Sequence, residues 1–374
     1  MKTRDMKVVT LNGAPRDRGR RLGETLREDI RIVLEKRDAM IAEHGYRPED
    51  YWAALDKHCD FGPAIQRWTP DLAAEVEGLA EGAAIDPDTA FRLQLLDEDW
   101  FFDAFHYSAF PKPSHKCTTF AIGTAEDGQT YAGQNMDIHH SADGHQVLLR
   151  IEDERNGLES LVFTYAGLIG LMGMNSAPLG INCNTLMQLG FCPTRLPVAF
   201  VVRHLLSLKT MDNAIRFLRH IQHASGQTYT LSTRGSVACF ECGPGGIAEY
   251  KPLRDARLCH TNHPLTNVNT DQFDELASRP GSGIERITPN SQVRLNSIGS
   301  RVLNVKKPPN LAELKSALRA RDDPENPVCK EAGVSMGNIG FTAGSVIYEM
   351  SDPPIFHCAS GPPRLTDYHR FFFK

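Results

Sequence analysis

The sequence predicts an α+β fold, and three observations predict it. The first hundred residues carry apolar side chains at helical spacing amid dense charge. From Cys117 onward the texture changes to short apolar runs broken by turn residues. No internal repeat or low-complexity linker divides the 374 residues. Helices segregated from paired strands around one core are the mark of a layered α+β domain.

The elements follow in order. "MKTRDMKVVTLNG" reads as a first strand, and "PRDRGRRLGETLREDIRIVLEKRDAMIAEHG" places Leu22, Leu26, Ile30 and Val33 at three- and four-residue steps, which is one amphipathic helix. "PAIQRWTPDLAAEVEGLAEGAAIDPDTAFRLQLLDEDWFFDAF" gives further helices, stopped by the Gly and Pro residues within it. Then come strands: "TTFAIGT", "QTYAGQNMD", "HQVLLRIED", "ESLVFTYAG", "GINCNTL", "TYTLSTRGSVACFE", "IAEYKPL" and "ARLCHTNH". Among them "VAFVVRHLLSLKTMDNAIRFLRHI" reads as a single helix.

Composition excludes several classes of function. Charged residues make up 23% and the net charge is −5, so no global pull toward nucleic acid or an anionic membrane is expected. The longest apolar runs, such as "LPVAFVV", are far too short to span a bilayer. The N-terminus shows no apolar secretory core, and "HRFFFK" at the C-terminus matches no retention or peroxisomal signal. Nine cysteines, an odd number widely spread, point to reduced thiols and a cytoplasmic location.

Those cysteines offer three chemistries. Cys239 and Cys242 have CxxC spacing, but no second pair completes four zinc ligands, so strand thiols are the simpler reading. His139-His140 reads as a solvated turn, and no metal is expected. A papain-like Cys–His pair lacks its flanking pattern around Cys117. The third chemistry concerns the position of Cys117, at the head of the first strand after the helical region. Taken alone, a cysteine there is a small buried hydrophobe. If the Lys116–Cys117 bond were cut, however, Cys117 would carry both a thiol and a free α-amine, whose pKa near 8 suits a general base.

The context of Cys117 resembles a family. "DRGRRLGETL" with Gly19 and Gly23, "CTTF", "GQNMD", "GMNSAPLGINCN", "TNHP", "GIERI" and "TAGSVIYEMSDPPIFHCASGPP" occur in the order found in the cysteine N-terminal-nucleophile hydrolases of the acyl-coenzyme A:6-aminopenicillanic acid acyltransferase type. Choloylglycine hydrolases and penicillin V acylases are cousins. The resemblance implies a four-layer αββα sandwich, with residues 1–116 as a helical pro-segment or small subunit and 117–374 as the catalytic part. It implies that Cys117 is the nucleophile, freed by self-cleavage after Lys116, and that Asp137 orients its α-amine. Asn262 would donate to the oxyanion, Asn175 would line the site, and Arg286 would favour the thiolate, with Arg279 and Arg294 as close alternatives. Gln134 agrees with the acyltransferase type, since the bile-salt cousins usually carry arginine there. One residue departs from the pattern: the position before the nucleophile is commonly glycine, and here it is Lys116.

The expected activity is cleavage of an amide bond of a small N-acyl molecule through a Cys117 thioester, without cofactor or metal. The two fragments are expected to stay associated, and a homo-oligomer is left open. One alternative is an N-acyltransferase using an acyl-coenzyme A or amide donor. A more distant one is an unprocessed, non-catalytic homologue with a binding or structural role, for which Lys116 is the sequence support.

Overall fold

The computed structural model describes residues 6–107, 116–252, 256–279, 289–331 and 340–374. It opens with strand β1 (Lys7–Leu11) and helix α1 (Pro15–Glu43), whose buried stripe includes Leu22, Leu26, Ile30 and Val33. Five shorter helices follow: α2 (Pro48–His58), α3 (Gly62–Trp68), α4 (Pro70–Ala83), α5 (Pro87–Arg92) and α6 (Leu96–Phe102). Proline stands at the first or second position of α1 through α5, where its missing N–H has no helical partner to lose. Helices α1 and α4 cross through four glycines. A Cβ on Gly19 would lie 1.8 Å from the Glu75 carbonyl oxygen and one on Gly78 2.0 Å from that of Arg16, with Gly23 and Gly82 equally tight. Backbones this close exclude any side chain.

After residue 116 come β2 (Lys116–Ile122), β3 (Tyr131–His139), β4 (Gln146–Asp153), β5 (Leu158–Tyr165), β6 (Met172–Asn175) and β7 (Gly180–Thr185). Helices α7 (Val198–Leu205) and α8 (Met211–His220) are followed by β8 (Gln227–Thr233), β9 (Ser236–Gly243), β10 (Gly246–Glu249) and β11 (Arg257–His260). Helices α9 (Asp271–Ser278), α10 (Pro289–Val302) and α11 (Leu311–Leu318) precede β12 (Gly340–Glu349), β13 (Ile355–Ala359) and β14 (His369–Phe372). The strands make two sheets, one ordered β1-β4-β5-β6-β7-β8-β9-β10 and the other β11-β2-β3-β12-β13-β14. Every pairing is antiparallel except β1 with β4.

The sheets pack face to face. Gly344 of β12 lies so close to the Phe163 ring of β5 that a Cβ would approach it to 2.1 Å. Polar bonds also cross the gap: Asn182 Nδ2 donates to Tyr348 Oη at 3.1 Å, and Thr119 Oγ1 to Asn184 Oδ1 at 2.7 Å. On its outer face the six-stranded sheet buries Phe120, Ile122 and Tyr131 against Ile298, Val302, Leu314 and Leu318 of α10 and α11. The N-terminal helices, α7 and α8 cover the eight-stranded sheet. The layers therefore run helix, sheet, sheet, helix, as the resemblance implied.

Residues 198–221 depart from the single helix expected. The chain leaves α7 after Leu205 and restarts at α8, where the Thr210 hydroxyl accepts from Asn213 N at 3.2 Å as an N-cap. The carbonyls freed by the break are taken by side chains: Asn175 Nδ2 donates to Leu206 O (3.0 Å) and Leu208 O (2.7 Å), and Ser160 Oγ to Leu206 O (3.0 Å). His139 departs too: it is buried, and its Nδ1 accepts from Ser141 N at 3.0 Å.

Buried polar bonds dock the N-terminal helices on the rest. Arg18 and Arg203 share the carboxylate of Glu75, at 3.2 and 2.7 Å. Gln94 donates to Gly167 O and accepts from Ile169 N. Asp97 accepts from Thr185 Oγ1 and Gln227 Nε2, and Glu98 from Val198 N and Ser225 Oγ. Burial, with Asp97 beside it, pushes the Glu98 carboxyl up to about 8, so Glu98 is held largely as the neutral acid at pH 7.

Candidate active site

Cys117 is the second residue of β2, and strand alternation splits its surroundings between two faces. Phe120 and Ile122 face the α10–α11 layer, so Cys117 and Thr119 face the opposite sheet. The Cys117 thiol is 2% exposed and lies 3.4 Å from Met136 Sδ, its register partner on β3. Burial, with Asp137 and Asp97 nearby, pushes the thiol up to about 12. While Cys117 is joined to Lys116, burial makes its thiol a poor thiolate.

The backbone of Cys117 is gripped at both ends. Its N–H donates to Asn262 Oδ1 at 2.7 Å, and its carbonyl accepts from Arg294 Nη1 at 2.5 Å. Arg294, on α10, is fully buried. It also donates to Thr118 Oγ1 at 3.0 Å, Asn262 Oδ1 at 2.9 Å and Asn290 Oδ1 at 2.9 Å. Arginine's planar fork is suited to holding several acceptors in one arrangement. Of the two described arginines among the three named from sequence, Arg279 and Arg294, it is Arg294 that bonds Cys117. Arg286 lies outside the described residues, and Arg279 is an exposed residue at the end of α9, 3.6 Å from Glu275.

Asn262 has a fixed amide orientation. Its Oδ1 faces two pure donors, Cys117 N–H and Arg294, while its Nδ2 faces a pure acceptor, the Thr185 carbonyl, at 3.0 Å. One Nδ2 hydrogen thus serves Thr185. Asn262 N in turn donates to Ser291 Oγ at 2.7 Å.

Asp137 lies inside β3, in register with Lys116 and Thr342, and is therefore no turn cap. The Thr342 hydroxyl accepts from Lys330 N at 2.9 Å and donates to Asp137 Oδ1 at 2.6 Å, so its direction is set. Burial raises the Asp137 carboxyl to about 6 against the opposing effects of Thr342, Arg294, Lys330 and Lys116. Burial, with Lys330 and Arg294 nearby, lowers the Lys116 ammonium to about 8. Lys116 keeps an ordinary strand backbone: Ala84 and Ala256 are the non-glycine residues with left-handed φ among the described residues. Lysine therefore replaces the usual glycine without left-handed strain.

Beside the thiol is a small cavity of about 20 Å³, room for roughly one water. Its walls are mainly aliphatic, including Met136, Ile138, Leu171, Ala199 and Val202, with Leu96 and Asp97 contributed by the N-terminal helix α6. Gln134, from the same β3 face as Met136, tethers the two sheets through Cys183 O and N. All nine cysteines are free thiols.

Asn175 is not brought to this cluster. Its Nδ2 holds the Leu206 and Leu208 carbonyls and its Oδ1 accepts from Ala177 N and Leu179 N, both at 3.1 Å. An amide with both donor hydrogens committed to the α7–α8 break has none for an oxyanion. Asn175→Ala is expected to lower stability by ~3 kcal/mol, through orphaned backbone groups. Turnover per folded molecule should change by less than about threefold. Thermal melts read beside steady-state rates check this, and a ~100-fold loss of turnover at unchanged melting temperature would return Asn175 to the chemistry.

A sequence model of the acyl-coenzyme A:6-aminopenicillanic acid acyl-transferase family matches residues 124–362. The chain belongs to that family. Within the acyl-transferase family, it is 26% identical over 263 residues to the 40 kDa form of the acyl-coenzyme A:6-aminopenicillanic-acid-acyltransferase of Emericella nidulans, covering 69% of this chain and 70% of that protein. Among solved structures it is similar to penicillin V acylase from Agrobacterium tumefaciens, at 16% identity and a TM-score of 0.42 over 69% of this chain and 86% of that one. It is also similar to a mutant of the conjugated bile acid hydrolase from Clostridium perfringens, at 13% identity and a TM-score of 0.46 over 69% and 96%. No described helix is long and apolar enough to cross a membrane.

Proposed function

We propose that the chain is a self-processing amidohydrolase whose nucleophile is Cys117, acting on the amide bond of a small N-acyl molecule. One observation carries the reading: Cys117 has its nitrogen on Asn262, its carbonyl on Arg294 and its thiol against an aliphatic cavity.

In maturation, Sγ attacks the Lys116 carbonyl carbon, the thiol proton passes to the departing nitrogen, and the Lys116–Cys117 amide becomes a thioester. Water then hydrolyses the thioester, leaving a Lys116 carboxylate and Cys117 with a free thiol and α-amine. In turnover the α-amine accepts the thiol proton, the thiolate attacks the substrate carbonyl, and Asn262 Nδ2 donates to the oxyanion. The α-ammonium protonates the leaving amine, and water resolves the acyl-enzyme. Residues 1–116 stay bound to 117–374, because Leu96 and Asp97 wall the cavity and the Glu75, Asp97 and Glu98 bonds tie the parts together.

Acyl transfer to a second amine is the alternative resolution, favoured by the name of the Emericella nidulans relative. Intact mass and N-terminal sequencing test the proposal: the expected fragments are 1–116 and one beginning Cys117-Thr118-Thr119, associated without a disulfide. A wholly uncut chain that hydrolyses amides would overturn the N-terminal-amine mechanism.

A further inference from the structure

We propose that Glu241 is a positioning residue for the reaction at Cys117: from the opposite sheet, its carboxylate clamps the loop that carries Asn262. The inference rests on the reading that Asn262 serves that reaction. Glu241 lies in β9 of the eight-stranded sheet, whereas Asn262 follows β11, the edge strand of the six-stranded sheet.

The Glu241 side chain is fully buried and saturated. Oε1 accepts from Leu265 N at 2.6 Å and faces His260 Nε2 at 2.7 Å, and Oε2 accepts from Thr266 N at 2.9 Å and Asn267 N at 2.6 Å. The Glu241 carbonyl accepts from Asn267 Nδ2 at 3.0 Å. Burial opposes the charge, yet His260 and the backbone N–H groups hold the carboxyl below its usual range, so the clamp is a carboxylate. Three consecutive N–H groups converging on one buried carboxylate fix the backbone of 265–267, and His260 fixes its start.

Asn262 sits between these fixed points. On its other side Ser291 Oγ accepts from Asn262 N at 2.7 Å, and Thr261 Oγ1 donates to Ser291 O at 3.0 Å. Asn262 must reach Cys117 N, Arg294 and Thr185 O together, and a displacement of about 1 Å is enough to spoil catalytic geometry. Glu241 has no hydrogen bond to Cys117, and the clamp acts on turnover through the position of Asn262.

A double-mutant cycle tests this. Glu241→Gln keeps the size but turns an amide N–H₂ toward backbone donors, releasing part of the loop. Self-cleavage, hydrolysis of a series of N-aliphatic-acyl 4-nitroanilides and melting temperature are measured in the parental and Asn262→Ala backgrounds. The expected result is a ~30-fold fall in kcat with KM changed less than about threefold in the parental background, and a fall below about threefold once Asn262 is gone. Glu241→Asp, which keeps the charge, should recover part of kcat, and it carries the same cycle if the glutamine variant does not fold. Equal losses in both backgrounds, or a lower melting temperature with unchanged kcat, would overturn the clamp alone. A parental protein that neither cuts itself nor hydrolyses any of the anilides would end both the proposed reaction and the clamp.

Discussion

Cys117→Ala is expected to remain one chain of 41.6 kDa, with no fragment beginning at residue 117 and no measurable amide hydrolysis. The variant loses one buried sulfur beside a cavity of about 20 Å³, a truncation that costs ~1 kcal/mol. The Asn262 and Arg294 bonds to the backbone of residue 117 do not involve the side chain. Folding should therefore survive while both chemical steps vanish, because each begins with attack by Sγ. Burial raises the thiol to about 12 in the uncut chain, and in the proposed turnover the new α-amine supplies a base beside it. Intact mass, melting temperature and rate on one preparation decide the matter. An alanine variant that still cuts itself, or still turns over at the parental rate, would remove Cys117 from the chemistry.

What the sequence made legible followed from local periodicity. Helix α1 was readable because Leu22, Leu26, Ile30 and Val33 mark one face, and β2 to β5 because each is an apolar run bounded by turn residues. The break between α7 and α8 was not, because its cause is Asn175, a residue of β6 that reaches across to the Leu206 and Leu208 carbonyls. The sequence between Leu205 and Met211 carries no strong breaker of its own. The same distant bonds turned Asn175 from an expected site residue into a backbone support.

The choice among arginines was equally closed to sequence. Arg286 and Arg294 are 8 positions apart, and only the packing of α10 on β2 places Arg294 on the Cys117 carbonyl. Glu241 lies inside the CxxC segment, whose spacing points to Cys239 and Cys242 rather than to the residue between them. Both cysteines are free and buried, and it is the glutamate between them that acts, on a loop 24 to 26 residues further along. Cys117, Asp137 and Asn262 were named from the motifs of the resemblance, and the fold brings Asn262 to the Cys117 backbone. That Asp137 faces Lys116 and Thr342 from mid-strand is register information, which no motif contains.

Asp137→Asn is expected to fold, to process slowly and to lose ~100-fold or more in turnover. The substitution keeps size and can still accept from the Thr342 hydroxyl, 2.6 Å from Oδ1 in the parental chain. What it removes is an anion whose field acts on Lys116, Lys330 and Arg294 alike. In the uncut chain that anion faces Lys116; after cutting, the α-ammonium of Cys117 takes over in the proposed reaction. In the uncut chain burial raises the Asp137 carboxyl to about 6, so it is mostly ionised at pH 7; a neighbouring α-ammonium favours the charged form further, so the charge is lost as the pH falls to 6 and below. Parental activity should accordingly drop below that pH. The sign for the amine is opposite: an adjacent carboxylate raises an ammonium pKa, so its loss lowers it, and the base form persists to lower pH. The residual rate of Asp137→Asn should thus have its ascending limb shifted toward acid, with a much lower maximum. A variant that matches the parental pH–rate profile in height and position would leave Asp137 as a strand residue bonded to Thr342 and nothing more.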